Sequence, residues 1–365
     1  MIGRAPFRPL GLLLLLLLAL LQGCSSLGYY SQSVSGHLQL MGQRQPIAQL
    51  VRDPQTPPGL KQKLQQIEAM RTFATSQLGL PDNDSYRSYA ALEREAVVWS
   101  VVATPAYSME PKQWCHLFVG CTSYRGYFSR SRAQQVADEL QATGMDVALL
   151  PVPAYSTLGW FDDPLPSTVI NWPEARIAGL IFHELAHQQL YVKDDSAFNE
   201  AFASLVEQEG VTRWLQDQPG QDLSRWRESQ RRERQFVDLL LETRGALAAL
   251  YQQPLDRKQM ARRKAMLFQQ LRDRYAGLKQ QWQGYAGFDG WFEQKLNNAH
   301  LASIATYEAR VPAFRQLLKQ NGGDLPAFYT ASRALGELPL AEREARLQQL
   351  LEAAEAEATY QPMRR

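Results

Sequence analysis

The sequence lacks an excess of charge of either sign, and it is poor in cysteine (three) and histidine (five). Thirty-nine basic residues face thirty-seven acidic ones, and Arg4 and Arg8 are the only charges before residue 24. The chain beyond that point is therefore balanced, which excludes the broad basic surface that nucleic acid requires. Arg225, Arg227, Arg231, Arg232 and Arg234 do run together, but Glu228 and Glu233 interrupt them, as on a solvated helix face. Three cysteines are too few for a disulfide framework or an all-cysteine zinc site. Long apolar runs are missing too, except for one from Leu10 to Leu21, too short to span a bilayer. What is present is 45% hydrophobic content over 365 residues, enough for one sizeable core and a second helical unit.

The N-terminus reads as an export signal: Arg4 and Arg8, then the apolar run, then Leu21-Gln22-Gly23-Cys24. A cysteine directly after that glycine resembles the bacterial lipobox, in which the cysteine becomes the acylated first residue. This implies removal of residues 1–23, membrane attachment through Cys24, and residence in the cell envelope. Ser25 lacks the aspartate associated with inner-membrane retention, so the expected address is the outer membrane, facing the periplasm. Several acyl chains are needed for stable anchoring, since one alone binds marginally. An ordinary signal with an incidental cysteine is the alternative. In an oxidising compartment Cys115 and Cys121 can close a small disulfide loop; a metal pair with His116 is the other option.

The pattern of residues predicts an α+β fold: a small, mostly antiparallel sheet, then a helix pair, then a mainly helical C-terminal half. Gly28–Gln45 is weakly helical, and Pro57–Leu78 carries Leu60, Leu64, Ile67 and Met70 at helical spacing. Ala96–Ala103 is rich in β-formers, and strands are expected at Gln113–Phe118, Tyr124–Phe128 and Asp146–Val152, the first two linked by a Gly120-Cys121 turn. Helix is expected over Ser131–Thr143, ended by Gly144, and over Pro173–Val192 and Ser196–Leu215. Asn171 with Glu174 predicts a capping box at the start of the Pro173 helix. The domain organisation expected is a signal over 1–23, a helical segment over 24–90, a core over 91–220, and a helical region over 221–365 packed on it.

His183-Glu184-Leu185-Ala186-His187 falls inside the Pro173–Val192 helix. Residues four apart stack one turn above each other, so both imidazoles face one way and can share a tetrahedral Zn2+. Glu184 is rotated by one residue, within reach of water at the metal but not a ligand, the placement of a general base. Leu180, Ile181 and Leu185 surround the pair, and half-buried imidazoles need a partner. A short connection with Asp194 or Asp195 as the next cap brings Glu200 back beside them as third ligand; Glu207, two turns further, is the alternative ligand. Ser204 or Glu207 can instead orient an imidazole from behind. His37, His116 and His300 have no such context.

His183–His187 with Asn199-Glu200-Ala201-Phe202-Ala203 resembles the gluzincin metallopeptidases, in which the helix after the zinc motif supplies a glutamate within an Asn-Glu pair. Gly28-Tyr29-Tyr30 through Leu40, Ala154–Phe161 and the zinc helices are similar to the predicted aminopeptidases of Gram-negative bacteria, usually small lipoproteins. The resemblance implies His183, His187 and Glu200 as zinc ligands, Glu184 as general base, and a peptide substrate. Twelve residues separate His187 from Glu200, fewer than in thermolysin-like enzymes. The Gly-x-Met-Glu-Asn strand that holds a substrate amine in many zinc aminopeptidases is absent, which leaves open which end of a peptide is cut. An oxyanion donor is expected at Tyr155 or Tyr307, with Tyr191 or Asn297-Asn298 as further options. The rival readings are a zinc-stabilised envelope binding or assembly protein without turnover, and an amidase acting on cell-wall peptides.

Overall fold

The computed structural model describes residues 28–116, 120–218, 223–302 and 310–360. Cys24 and the export signal lie outside them, as does Tyr307.

The N-terminal half carries the sheets. Residues 28–42 form helix α1, followed by strand β1 (Arg44–Pro46), α2 (Ile47–Arg52), α3 (Pro58–Ser76), β2 (Ser88–Ala90) and β3 (Val98–Pro105). Next come β4 (Trp114–His116), β5 (Gly120–Thr122), β6 (Arg125–Tyr127), α4 (Arg130–Ala142), β7 (Met145–Val152) and β8 (Leu165–Pro166). The strands make a three-stranded sheet β6-β3-β7, a second of order β1-β2-β8, and the hairpin β4-β5. All pairings are antiparallel except β2 with β8. Val98–Thr104 is buried at every position, because β3 is central and covered on both faces. Ala133 and Ala137 of α4 close one side, and Ala299 packs on Val102 and Ala148 on the other. That is why this strand reads as a continuous apolar run and not as an alternation.

The expected Gly120-Cys121 turn is instead part of β5, opposite β4, and Cys115 pairs with Cys121 across the register as a disulfide. The hairpin needs only that one cross-strand pair to close, which frees β6 to join β3.

The second half is helical: α5 (Glu174–Gln189), α6 (Ser196–Asp217), α7 (Leu223–Tyr251), α8 (Arg257–Gln281), α9 (Asp289–Phe292), α10 (Asn298–Ala302), α11 (Val311–Gln320), α12 (Leu325–Glu337) and α13 (Leu340–Tyr360). The α7–α8 pair closes over Phe236, Leu239, Leu240, Leu247, Phe268 and Leu271. The main core gathers α3, α5, α6 and α11 to α13 around Phe182, Phe198, Phe202, Phe314 and Phe328. Phe202 stacks on Phe328 at 5.6 Å, and Phe198 meets Phe314 edge-on at 5.0 Å.

The predicted capping box at α5 does not form. Pro173 occupies the cap position, which leaves no side-chain hydrogen bond there. Asn171 accepts from Lys63 at 2.6 Å, and Glu174 accepts from the Trp214 indole at 3.1 Å. Asp195, by contrast, caps α6 through the Phe198 amide at 3.0 Å. It is buried, and its carboxylate also faces Arg343 at 2.9 Å and Arg310 at 3.3 Å. One side chain thus ties the start of α6 to α11 and α13. Replacing Asp195 with Ala strands the buried Arg343 charge and removes a cap. The expected loss is about 3–5 kcal/mol of unfolding free energy, read from urea denaturation.

Candidate metal centre

α5 and α6 are consecutive, antiparallel neighbours, and two glycines set how closely they pack. A Cβ on Gly210 would meet Phe182 and Leu78 carbons at 2.8 Å, and one on Gly179 would meet Glu207 Oε1 at 2.9 Å. At 210 the neighbours are the Phe182 ring and Leu78, so a methyl there would force them to shift; at 179 the space a methyl would need is filled by the Glu207 carboxylate. The connection is pinned by Asn199, 1% exposed, whose side-chain amide accepts from the Val192 amide and donates to the Val192 carbonyl, each at 2.7 Å. Asn199 therefore fixes the angle at which the next residue, Glu200, enters the site.

The result is a compact donor triangle. His183 Nε2 lies 3.2 Å from His187 Nε2 and 3.3 Å from Glu200 Oε2, and the last side, His187 Nε2 to Glu200 Oε2, is 3.6 Å. A tetrahedral zinc bound at about 2.0–2.1 Å needs donors roughly 3.3 Å apart, so these three atoms could hold such an ion. Glu207 is not in the triangle. Its Oε2 sits 3.0 Å from the opposite ring nitrogen, His183 Nδ1, where it fixes the ring's tautomer and leaves Nε2 to face the other donors. Of the two candidates for that orienting role it is Glu207, not Ser204, that makes the contact.

The electrostatics match a cluster built for a cation. Burial disfavours a charged His183, yet hydrogen bonds to Glu200 and Glu207 outweigh it and raise its pKa well above the ordinary imidazole value. Burial works against an ionised Glu200 as well, and its contacts with His183 and His187 overcome this, holding its pKa at about 2.

Glu184 is half-buried on the adjacent face of α5, with two buried groups in its field. Tyr86 is almost wholly enclosed and holds a left-handed backbone (φ 61°); its pKa is driven up by burial, then by the charges of Glu184 and Asp163. A bulky residue in that conformation is uncommon and strained. Asp163 is fully buried and accepts through Oδ2 from the Thr157 amide at 2.7 Å and the Thr157 hydroxyl at 2.9 Å. Its carbonyl accepts from the Tyr86 amide at 2.7 Å. Burial lifts Asp163 to about 6; the Thr157 hydrogen bonds pull the other way, and the charge of Glu184 adds to the rise.

Behind these groups stands Arg71, buried in α3, which donates to the carbonyls of Pro81, Asn83 and Ser85 at 2.7–2.9 Å. The loop it organises reaches α5 directly: Asn83 donates to Gln188 at 2.6 Å, beside His187.

Tyr155 meets His37 and Phe128 edge-on at 6.0 and 5.8 Å, and burial followed by Asp163 raises its pKa. Tyr191 is exposed; burial of its hydroxyl and the charge of Glu200 raise its pKa. Tyr124, which the sequence reading did not single out, feels the same two influences together with Glu184. The residue is 47% exposed. It sits in the turn between β5 and β6, and no local pattern announces it. His300 bonds Asn297 at 3.0 Å and His37 packs on Phe161, so neither joins the triangle.

A protein-family model described as "Putative aminopeptidase" matches residues 28–347, which spans the sheets, the donor triangle and most of the helical half. No curated protein and no solved structure matches the chain.

Two outcomes follow from this geometry. Glu207→Gln should weaken zinc binding by about 10–100-fold in chelator competition, since the tautomer of His183 loses its support; Gly179→Ala should move it in the same direction by displacing Glu207. Asp163 keeps its proton to higher pH in the folded protein than its ordinary value of 3.8, so its ionisation costs stability. As pH rises from about 4 to about 6, wild type should lose on the order of 2–3 kcal/mol relative to Asp163→Asn, measured by denaturation at each pH.

Proposed function

Because the chain belongs to this family of putative aminopeptidases, we propose that it is a zinc-dependent peptidase, with His183, His187 and Glu200 as the metal ligands and Glu184 as the general base. The observation that carries the reading is the donor triangle with Glu184 one residue out of it and Glu207 behind it. Among the described residues the donor group has three members, the number that leaves a position for substrate or water; a purely structural site closes with a fourth protein ligand.

Zinc held there supplies Lewis-acid polarisation of a carbonyl and acidifies water. Glu184 takes the proton of the attacking water on its carboxylate and delivers it to the leaving amine, so one side chain serves as base and then as acid. Glu207 on α6 keeps the His183 ring in its tautomer and orientation throughout, while Glu200, from the same helix, serves as third ligand. The tetrahedral oxygen needs a donor. Tyr124 and Tyr191 are candidates, since the charge of Glu200 acts on both hydroxyls. Tyr155 is one neighbour further, coupled to Asp163 and Tyr124. Tyr155 and Tyr307 therefore enter as alternatives to Tyr124.

The export signal and the lipobox around Cys24 support an envelope address, with the enzyme held on the membrane by acylation. Among the described residues no helix is long and apolar enough to cross a membrane.

Glu184→Gln should retain zinc, by metal analysis, and lose about 10²–10⁴-fold in peptide hydrolysis. Chelation should abolish activity, zinc should restore it, and free-amine peptides should be cut in preference to N-blocked ones. Full activity in Glu184→Gln would sink the mechanism; cleavage of blocked peptides alone would remove the "amino" and keep the peptidase.

A further inference from the structure

Ten large hydrophobic side chains are exposed among the described residues, and five of them lie on two segments that touch through His37 and Phe161. Val34 (59%) and Leu38 (63%) lie one turn apart on the outer face of α1; Leu158 (37%), Trp160 (85%) and Phe161 (53%) form the tip of the loop between β7 and β8. His37, on the same stretch of α1, joins the two by packing on Phe161 at 4.7 Å.

The tip is built to hold this shape. Leu158 (φ 56°) and Gly159 (φ 83°) are consecutive left-handed residues. Gly159 sits against Gln188 so closely that a Cβ would meet Gln188 Cγ at 3.2 Å. Thr157, clamped by Asp163, also accepts the Phe161 amide on its hydroxyl at 3.0 Å. A strained turn that lifts Leu, Trp and Phe into water implies something apolar on the other side.

Two observations say what that is. Residues 28–43 contain no Asp, Glu, Lys or Arg, so the α1 side brings no carboxylate or cationic side chain; the charges at the edge of the face are Asp162, exposed beside Phe161, and Arg44, which donates to the Asp162 carbonyl at 3.4 Å. Secondly, the described part of α1 starts at Gly28, four residues after Cys24; four residues span at most about 14 Å, which keeps Gly28 within that distance of any acyl chains on Cys24.

We propose that Val34, Leu38, Leu158, Trp160 and Phe161 form a lipid-contacting face that seats the protein on the bilayer to which Cys24 is anchored, a second attachment that sets its orientation. The proposal rests on the anchored reading of Cys24. Trp at the rim and Leu and Phe beside it suit the interfacial zone of a membrane.

The full-length protein, reconstituted in phosphatidylethanolamine–phosphatidylglycerol vesicles with and without brominated acyl chains, tests this by tryptophan emission. Trp160 is the one exposed tryptophan of the eight, so wild type should be quenched by bromine and Trp160→Phe should lose most of that quenching. Equal quenching in both proteins, or none in either, overturns the lipid face. The intact mass of the purified chain reads acylation separately. A chain without acyl mass sinks the anchor, and quenching of that chain by added vesicles then decides the face by itself.

Discussion

Everything at the candidate centre depends on the distance between α5 and α6. An imidazole on one helix and a carboxylate on the next can face a common point only if the helices approach closely, and here glycine at 179 and 210 removes the side chains that would hold them apart. Once that approach is set, the helical repeat does the remaining work. His183 and His187 project from one face of α5. Glu200 and Glu207, two turns apart on α6, meet opposite nitrogens of the same ring. One reaches the donor triangle and the other steadies it from behind. Asn199 fixes the connection, and Asp195 fixes the start of α6 against α11 and α13, so the helical half of the chain serves as the frame on which the triangle is stretched.

The sheet half contributes the groups whose pKa values respond to Glu184 and Glu200. Its elements arrive from distant parts of the chain: the Arg71-ordered loop brings Tyr86 and Asn83, the β5–β6 turn brings Tyr124, and the β7–β8 loop brings Tyr155 and Asp163. They share a property, which is burial of polar groups close to the glutamate on α5. Each such group is costly unless it is bonded, and the bonds that Asp163 Oδ2 and Arg71 do make, to Thr157 and to three carbonyls, also lock the loops in place. Desolvation and rigidity here have a common origin.

What could be read in advance follows from the range of each interaction. His183, Glu184 and His187 are within one helical turn, and periodicity alone aligns them. Glu200 is one short connection away, and there the resemblance to a known Asn-Glu pair was needed; Asn199's grip on Val192 explains physically why the pair occurs. The alternation between Glu200 and Glu207 as ligand could not be settled by spacing, since both lie on one face of α6, and the structure divides them between two ring nitrogens. The α+β order and the buried central strand were legible as well. Tyr86, Tyr124 and Asp163 were not, because their relation to Glu184 spans tens of residues or more and leaves no local pattern. The capping box failed for a local reason: proline at 173 took the cap position and Asn171 found Lys63 instead. The Gly120-Cys121 turn failed for another, since the disulfide register places both residues in a strand.

The glycine at 179 carries an implication for anyone who would move this centre elsewhere. A graft that copied His183, Glu184, His187, Glu200 and Glu207 onto another antiparallel helix pair would transfer every chemically active atom. With alanine at 179, the new methyl would occupy the space where the Glu207 carboxylate lies, and the orienting group would be pushed off its ring nitrogen. The transplant would own the ligands and lack the lever that aims them. The information that makes this a site is held partly by a residue with no side chain at all.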